Sequence, residues 1–391
     1  AKLKSGEPER FVELGLRLAQ IFETQLEDVD AAIARYRAVL EVDAENWQAI
    51  SSLDRLLVMM ERWSDLVPVL AREAEIGETP DDILNFKYRL GQVHQHRLKD
   101  LPAAIQSYRE VLAAAPEHMQ TLEALEGLFA TGVHQLEIGE ILEPLYQASG
   151  EWQKLGDVLE AELAHKKERD DRLQAYYRIA ELQEEKLISV DGALGVYVRA
   201  LKEAPTDEKT LDECERLAAS CDGGWEILAN AYADVLELHN DKAIQPAIGK
   251  RLARLYEEEL GDIQRAEETY RYVLSVEALD VETLTQLDRI YTSLEQYPEL
   301  AQVLEQRLLA TKEELELVEL HLRLGEVYED RLRDENGVGQ LDDATRVYKR
   351  VFDELDPANE TAVAALERIY NQRGQWPELR GVLERQLEHA A

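Results

Sequence analysis

The chain has 391 residues, 45% of them hydrophobic, and a formal net charge of −36 from 80 acidic against 44 basic residues. A surface field of that sign repels other polyanions, so nucleic acid and anionic membrane are excluded as expected partners. Its two cysteines build no disulfide framework, no apolar run reaches the length of a membrane span, and its prolines and glycines are scattered rather than gathered into linkers.

In chain order, residues 1–7 align with 73–79 and Pro8 with Pro80, which predicts that the chain opens on the tail of a preceding unit and is a window on a longer array. Four amphipathic helices follow, at Glu9–Glu23, Val29–Leu40, Trp47–Met60 and Trp63–Glu75, with apolar residues three and four apart and turn formers at 43–46 and 76–80. The pattern then recurs. An aromatic followed four residues later by Leu or Phe appears as Tyr36/Leu40, Tyr108/Leu112, Tyr197/Leu201, Tyr270/Leu274 and Tyr348/Phe352. Upstream of each lies a large aliphatic beside Ala or Gly, at Leu18, Leu90, Ile179, Leu252 and Leu324; downstream come Leu53, Leu125, Cys214, Leu287 and Leu366, then Trp63, Trp152, Trp225, Tyr297 and Trp376. Four anchors in the same order five times define an internal repeat.

The upstream anchors are 72, 89, 73 and 72 residues apart, so the second unit carries a surplus of about 17. Helical apolar spacing at Leu136, Ile138, Ile141, Leu142 and Leu145 predicts one additional helix near 133–148. The expected organisation is a single array over 1–391: the tail 1–7, then units 8–79, 80–168 with the inserted helix, 169–241, 242–313 and 314–391, with a smaller loop insertion around Asn336. Ala32, Ala104, Ala193, Ala266 and Ala344 each stand one helical turn before the aromatic anchor, and Gly91 and Gly325 match Ala19, Ala180 and Ala253 on the preceding helix. Small residues at fixed places let neighbouring helices approach, so tyrosine and small residue read as knob and socket. The expected fold is an all-α, right-handed α-solenoid of stacked helical hairpins, with about 20 helices plus the inserted one.

Leu90 with Gly91, His94, Ala104, Tyr108, Val111 and Pro116 resemble the tetratricopeptide repeat family, as do Ile179 with Ala180, Ala193, Tyr197, Ala200 and Pro205. The style resembles large bacterial arrays of that family. The second hairpin of each unit keeps helical periodicity but lacks the small-residue signature. The resemblance implies a superhelix with a concave surface that binds protein partners. Family members that grip acidic C-terminal tails use Lys, Asn and Arg on consecutive first helices; here Lys250 and Arg254 fit, whereas neighbouring hairpins offer Tyr177, Glu181, Asp212 and Arg216, so that clamp is incomplete.

No nucleophile stands beside a base, no glycine-rich turn opens a helix, and the eight histidines are dispersed, so neither catalysis, cofactor nor metal is expected. One polar feature recurs in the third helices: an acidic residue followed by Arg55, Arg216, Arg289 or Arg368, replaced by Glu126 and Gly127 in the second unit. These arginines read either as an ion-pair ladder between adjacent hairpins or as a row offered to a partner carboxylate. Tyr88, Tyr177 and Leu322 are weaker contact candidates on first helices. The functional expectation is a non-enzymatic interaction scaffold for a protein or peptide. The alternatives are a spacer that self-associates through open ends and a regulatory array attached to an enzymatic domain elsewhere. Cytoplasmic placement is expected, or the periplasm or envelope if a leader has been removed.

Overall fold

The computed structural model describes residues 8–333 and 338–390. The expected tail 1–7 and the centre of the loop insertion around Asn336 lie outside them. The described residues form α1 (Pro8–Thr24), α2 (Val29–Leu40), α3 (Trp47–Met59) and α4 (Trp63–Ile76), then α5 (Pro80–Gln92), α6 (Leu101–Ala114), α7 (Met119–Ala130), α8 (Gln135–Ser149) and α9 (Trp152–His165). The third repeat supplies α10 (Arg169–Glu181), α11 (Val190–Glu203), α12 (Glu208–Ala218) and α13 (Gly224–Leu238). The fourth holds α14 (Ile244–Glu258), α15 (Ile263–Val276), α16 (Val281–Ser293) and α17 (Tyr297–Ala310), and the fifth α18 (Glu314–Glu326), α19 (Leu341–Arg350), α20 (Glu360–Arg373) and α21 (Trp376–Ala390). α8 is the inserted helix. Consecutive helices pack as hairpins, and a lone bridge between Arg333 and Gly339 is the β pairing among the described residues. The fold is an all-α solenoid.

Contacts divide the chain into two compact units, one up to Ala175 and one from Tyr176. In each, the cores repeat the same parts. Tyr36 and Tyr108 in the first, and Tyr197, Tyr270 and Tyr348 in the second, are all buried, as are Leu53, Leu125, Cys214, Leu287 and Leu366. The socket is tight: a Cβ on Gly91 would collide with the ring of Tyr108, and one on Gly325 would stand 2.5 Å from that of Tyr348. Such approach leaves no room for a side chain without moving the ring.

Caps fix where helices begin. Asp28, Asp100, Ser189 and Asp262 accept backbone N–H bonds at the start of second helices, and Asn46, Asp207, Asp280 and Asn359 do so at the start of third helices. Each side chain satisfies an N–H that has no partner inside its helix.

The ends of the first helices differ from the simple α pattern. They widen into i→i−5 bonds: Leu26 to Ile21, Leu187 to Leu182, Leu260 to Leu255 and Leu332 to Val327, while Val93–Leu98 is π-helical throughout. The chain then turns through a left-handed residue, Glu27, Lys99, Ile188 or Gly261. Ile188 is the conspicuous case, a β-branched side chain at φ 53° that is 76% exposed and so gains little from packing. Gly261 shows that the turn accepts glycine. Ile188→Gly should therefore stabilise the chain by about 1 kcal/mol, the relief of the left-handed strain outweighing the extra freedom of glycine in the unfolded state. A rise in the urea midpoint checks it; an unchanged or lower midpoint would show that the turn carries no strain.

Candidate functional site

The polar seam on first and third helices is built by two reciprocal sets of ion pairs. In one, the third-helix arginine reaches back to a carboxylate at the widened end of its own repeat's first helix. Arg55 pairs with Glu23. Arg216 makes a bidentate pair with Glu184 at 2.8 and 2.7 Å, Arg289 meets Glu257 at 2.5 Å, and Arg368 grips both oxygens of Glu329 at 2.7 and 2.8 Å. The core tyrosine joins from below: Tyr36 donates to Glu23 at 3.2 Å and Tyr348 to Glu329 at 3.4 Å.

The second repeat lacks the arginine, and its partner changes with it. Gln95 takes the place of the glutamate and accepts from Tyr108 at 2.6 Å, opposite Gly127. A neutral amide needs no cation above it, so the loss of both charges leaves a satisfied site.

In the other set, the acidic residue preceding three of these arginines reaches forward to the next first helix. Asp54 holds Arg89 through two 2.9 Å bonds, Glu215 holds Arg251 at 2.6 Å, and Asp288 is buried between Arg307 at 2.5 Å and Arg323 at 2.6 Å. In the second repeat Glu126 instead takes Lys154 at 2.7 Å.

The electrostatics follow from this pairing. Hydrogen bonding to Arg216 holds Glu184 below the ordinary carboxylate range, and the same bond raises Arg216. Burial pushes the hydroxyls of Tyr197 and Tyr270 up to about 12, which keeps them protonated at every physiological pH. Burial likewise raises the Cys214 thiol to about 12 and lowers His321, so neither presents a ready nucleophile or acid.

The remaining sequence candidates also have internal partners. Tyr88 accepts a bond from Gln92 at 3.0 Å and its ring tilts against Tyr108 and His118. Tyr177 donates to Asp207 at 2.5 Å beneath the Lys209 ammonium. Lys250 bridges Asp280 and Glu282 at 3.2 and 3.0 Å, and Arg254 meets Glu282 at 2.7 Å. Tyr88, Tyr177 and Lys250 thus occupy one repeat position that braces the start of the following third helix. Of the nine candidates, the eight polar or aromatic ones are held in contacts within the chain, and Leu322 is half-buried in α18.

The carboxylates explain why. Glu23, Glu257 and Glu329 are 15%, 10% and 7% exposed beneath arginine side chains that are more than half exposed. An arginine drawn away to a partner would leave a nearly buried anion, a cost of about 3 kcal/mol, against the roughly 0–1 kcal/mol that an exposed pair returns.

A different feature is open. Between the inserted α8 and α9 lies a cleft of about 310 Å³, its apolar part formed by Leu136, Gly139 and Val158 and its rim by Glu140, Glu143 and Glu162, with His165 and Lys166 at one end. The sequence locates α8, but the cleft depends on how α8 meets α9, which periodicity does not report. Among the described residues no group of three or more His, Cys, Asp or Glu is arranged to hold a metal, and no helix is long and apolar enough to cross a membrane.

Stacked helical hairpins with a repeated tyrosine and small-residue socket define an α-solenoid repeat protein. Residues 283–319 and 362–391 match the tetratricopeptide repeat family model. Both matches begin in third helices, on the hairpins whose sequence signature is the weaker. No curated protein matches the chain. Among solved structures it is similar to the MamA protein (18% identity over 51% of this chain and 94% of that one, TM-score 0.23) and to the tetratricopeptide domain of P58(IPK) (17%, 81% and 98%, TM-score 0.23). It is also similar to yeast Tom70 (12%, 98% and 92%, TM-score 0.25). The tetratricopeptide repeat supports, in general terms, a scaffold for protein–protein interaction.

Proposed function

We propose that the chain is a non-catalytic scaffold, its repeats forming one array, and that it holds a protein partner through a basic segment seated at the α8–α9 cleft. The supporting observation is the combination found there: an apolar floor, a rim that carries Glu140 beside Glu143, bonded to Gln147, and Glu162, paired with Lys166, and a volume of about 310 Å³, in a chain of net charge −36 whose seam arginines are already engaged. A lysine or arginine fits such a cleft because its aliphatic stem covers apolar surface while its charged head meets the rim. The field of the whole chain draws a basic segment in and makes association sensitive to salt.

Affinity capture from native extract tests this, with an unrelated acidic protein of equal charge as control and Glu140→Lys as the cleft variant. A protein retained by the chain, released by salt and lost from the variant supports the reading. Equal retention on the charge-matched control sinks the scaffold, and undiminished retention on the variant moves the contact away from the cleft.

A further inference from the structure

At two joints the aromatic residue that opens a fourth helix lies beneath a cation from the next repeat's first helix. The Arg97 guanidinium is 4.7 Å from the ring centre of Trp63, and that of Arg331 is 5.4 Å from the ring centre of Tyr297. Both arginines stand seven residues after the upstream anchor, Leu90 or Leu324, and Lys186 stands in the same register after Ile179. After Leu252 that register holds Glu259 instead, and the aromatic residue it shares a cleft with is Trp225. The sign of the charge is thus inverted at this joint. Among the described residues no guanidinium or ammonium lies over the Trp225 ring, and the side chains of Glu258 and Glu259 make neither a hydrogen bond nor an ion pair.

Trp225, Glu258 and Glu259 line a cleft of about 110 Å³, with Leu255 contributing apolar wall. The other charges around it are already matched within the chain. Glu215 takes Arg251 at 2.6 Å and a bond from Tyr232 at 3.1 Å, and Arg254 meets Glu282 at 2.7 Å. What the cleft offers is an indole face, electron-rich at its centre, beside two carboxylates that no cation of the chain balances. A guanidinium suits these surroundings better than other cations, because it is flat and weakly hydrated, stacks on aromatic faces, and forks its N–H groups onto carboxylate oxygens.

We propose that this cleft binds an arginine side chain of a protein partner, its guanidinium lying on Trp225 as Arg97 lies on Trp63 and donating to Glu258 and Glu259. The partner supplies at this joint the cation that the chain itself supplies at the others. The cleft shares no residue with the one between α8 and α9, so neither reading rests on the other.

NMR of the full chain tests this through the indole N–H signals of its five tryptophans, that of Trp225 being the one lost in Trp225→Phe. An acetylated, amidated Gly-Arg-Gly peptide should move the Trp225 signal saturably and leave that of Trp63 in place. The same peptide with citrulline, which keeps the shape and lacks the charge, should move neither. Glu259→Arg gives the joint an internal cation, so this variant should bind the arginine peptide at least about tenfold more weakly. Circular dichroism establishes that the variant is folded, Glu259 being exposed. Free arginine, which brings its own carboxylate into an acidic cleft, should bind more weakly than the capped peptide. A Trp225 signal that stays still overturns the proposal, as does an equal response to the citrulline peptide or undiminished binding by Glu259→Arg. Tighter binding of free arginine overturns a partner protein as the source of the guanidinium.

Discussion

Arg368→Ala should destabilise the fifth repeat by about 3 kcal/mol, and adding Glu329→Gln to the same chain should return all but about 1 kcal/mol of the loss. Glu329 is the most enclosed of the seam glutamates that face these arginines, and Arg368 alone compensates its charge, through both oxygens. Removing the cation strands an anion in a low-dielectric site, a larger penalty than the net worth of the pair. The second repeat shows the neutral solution in the same chain. There Gln95 faces Gly127 and keeps its bond from the core tyrosine, as the amide of the Glu329→Gln variant would from Tyr348. Repeats pass stability mainly to their neighbours, so the loss should show first as faster hydrogen exchange in 341–387 and only partly in the global melt. Equal losses in the single and double variants would show that the carboxylate is solvated and the pair a surface ornament.

The sequence carries the architecture because five copies of one pattern average out the ambiguity of any single helix. Tyr36, Tyr108, Tyr197, Tyr270 and Tyr348 are legible as core from their spacing against Ala and Gly, and α8, observed at Gln135–Ser149, is legible from a surplus in one interval. The widened ends of the first helices are not, since an i→i−5 bond leaves no periodicity of its own. A signal exists nonetheless: Leu26, Leu98, Leu187, Leu260 and Leu332 recur at that point. The arginines of the seam stand out in the sequence but their partners do not, because a helix-by-helix reading looks three and four residues away and the glutamates lie 32 or 39 residues upstream. The series Glu23, Gln95, Glu184, Glu257 and Glu329 changes to an amide where the arginine changes to Gly127, and that paired change is the readable trace. The α8–α9 cleft has no copy in other repeats, so repetition gives it no voice.

The joint between the first two repeats should weaken as the solution becomes alkaline, and Glu73 is the reason. Glu73 lies in α4, 1% exposed, with its Oε2 unpaired. Burial first, and the Asp54 carboxylate second, raise its pKa from 4.5 to about 7, while Arg89 pulls the other way. In the fourth repeat the same position holds Arg307, a cation paired with Asp288. The first repeat therefore places two carboxyls beside one guanidinium, and only a protonated Glu73 balances them. An acid whose folded pKa exceeds its unfolded one contributes stability that is complete below the unfolded value and is lost as pH rises through the folded value. For Glu73 that window runs from 4.5 to about 7 and is worth about 3 kcal/mol at its alkaline end. Carboxylates held low, such as Glu184 beneath Arg216, act oppositely: their stability is present above the unfolded value and lost as pH falls. Comparing wild type with Glu73→Gln cancels that common acid limb. The amide keeps the shape and never ionises, so the two melting temperatures should agree near pH 5, within about 1 °C, and diverge in favour of the variant toward about pH 8.5. Parallel curves would mean that Glu73 ionises without cost and that the joint is wetter than its burial indicates.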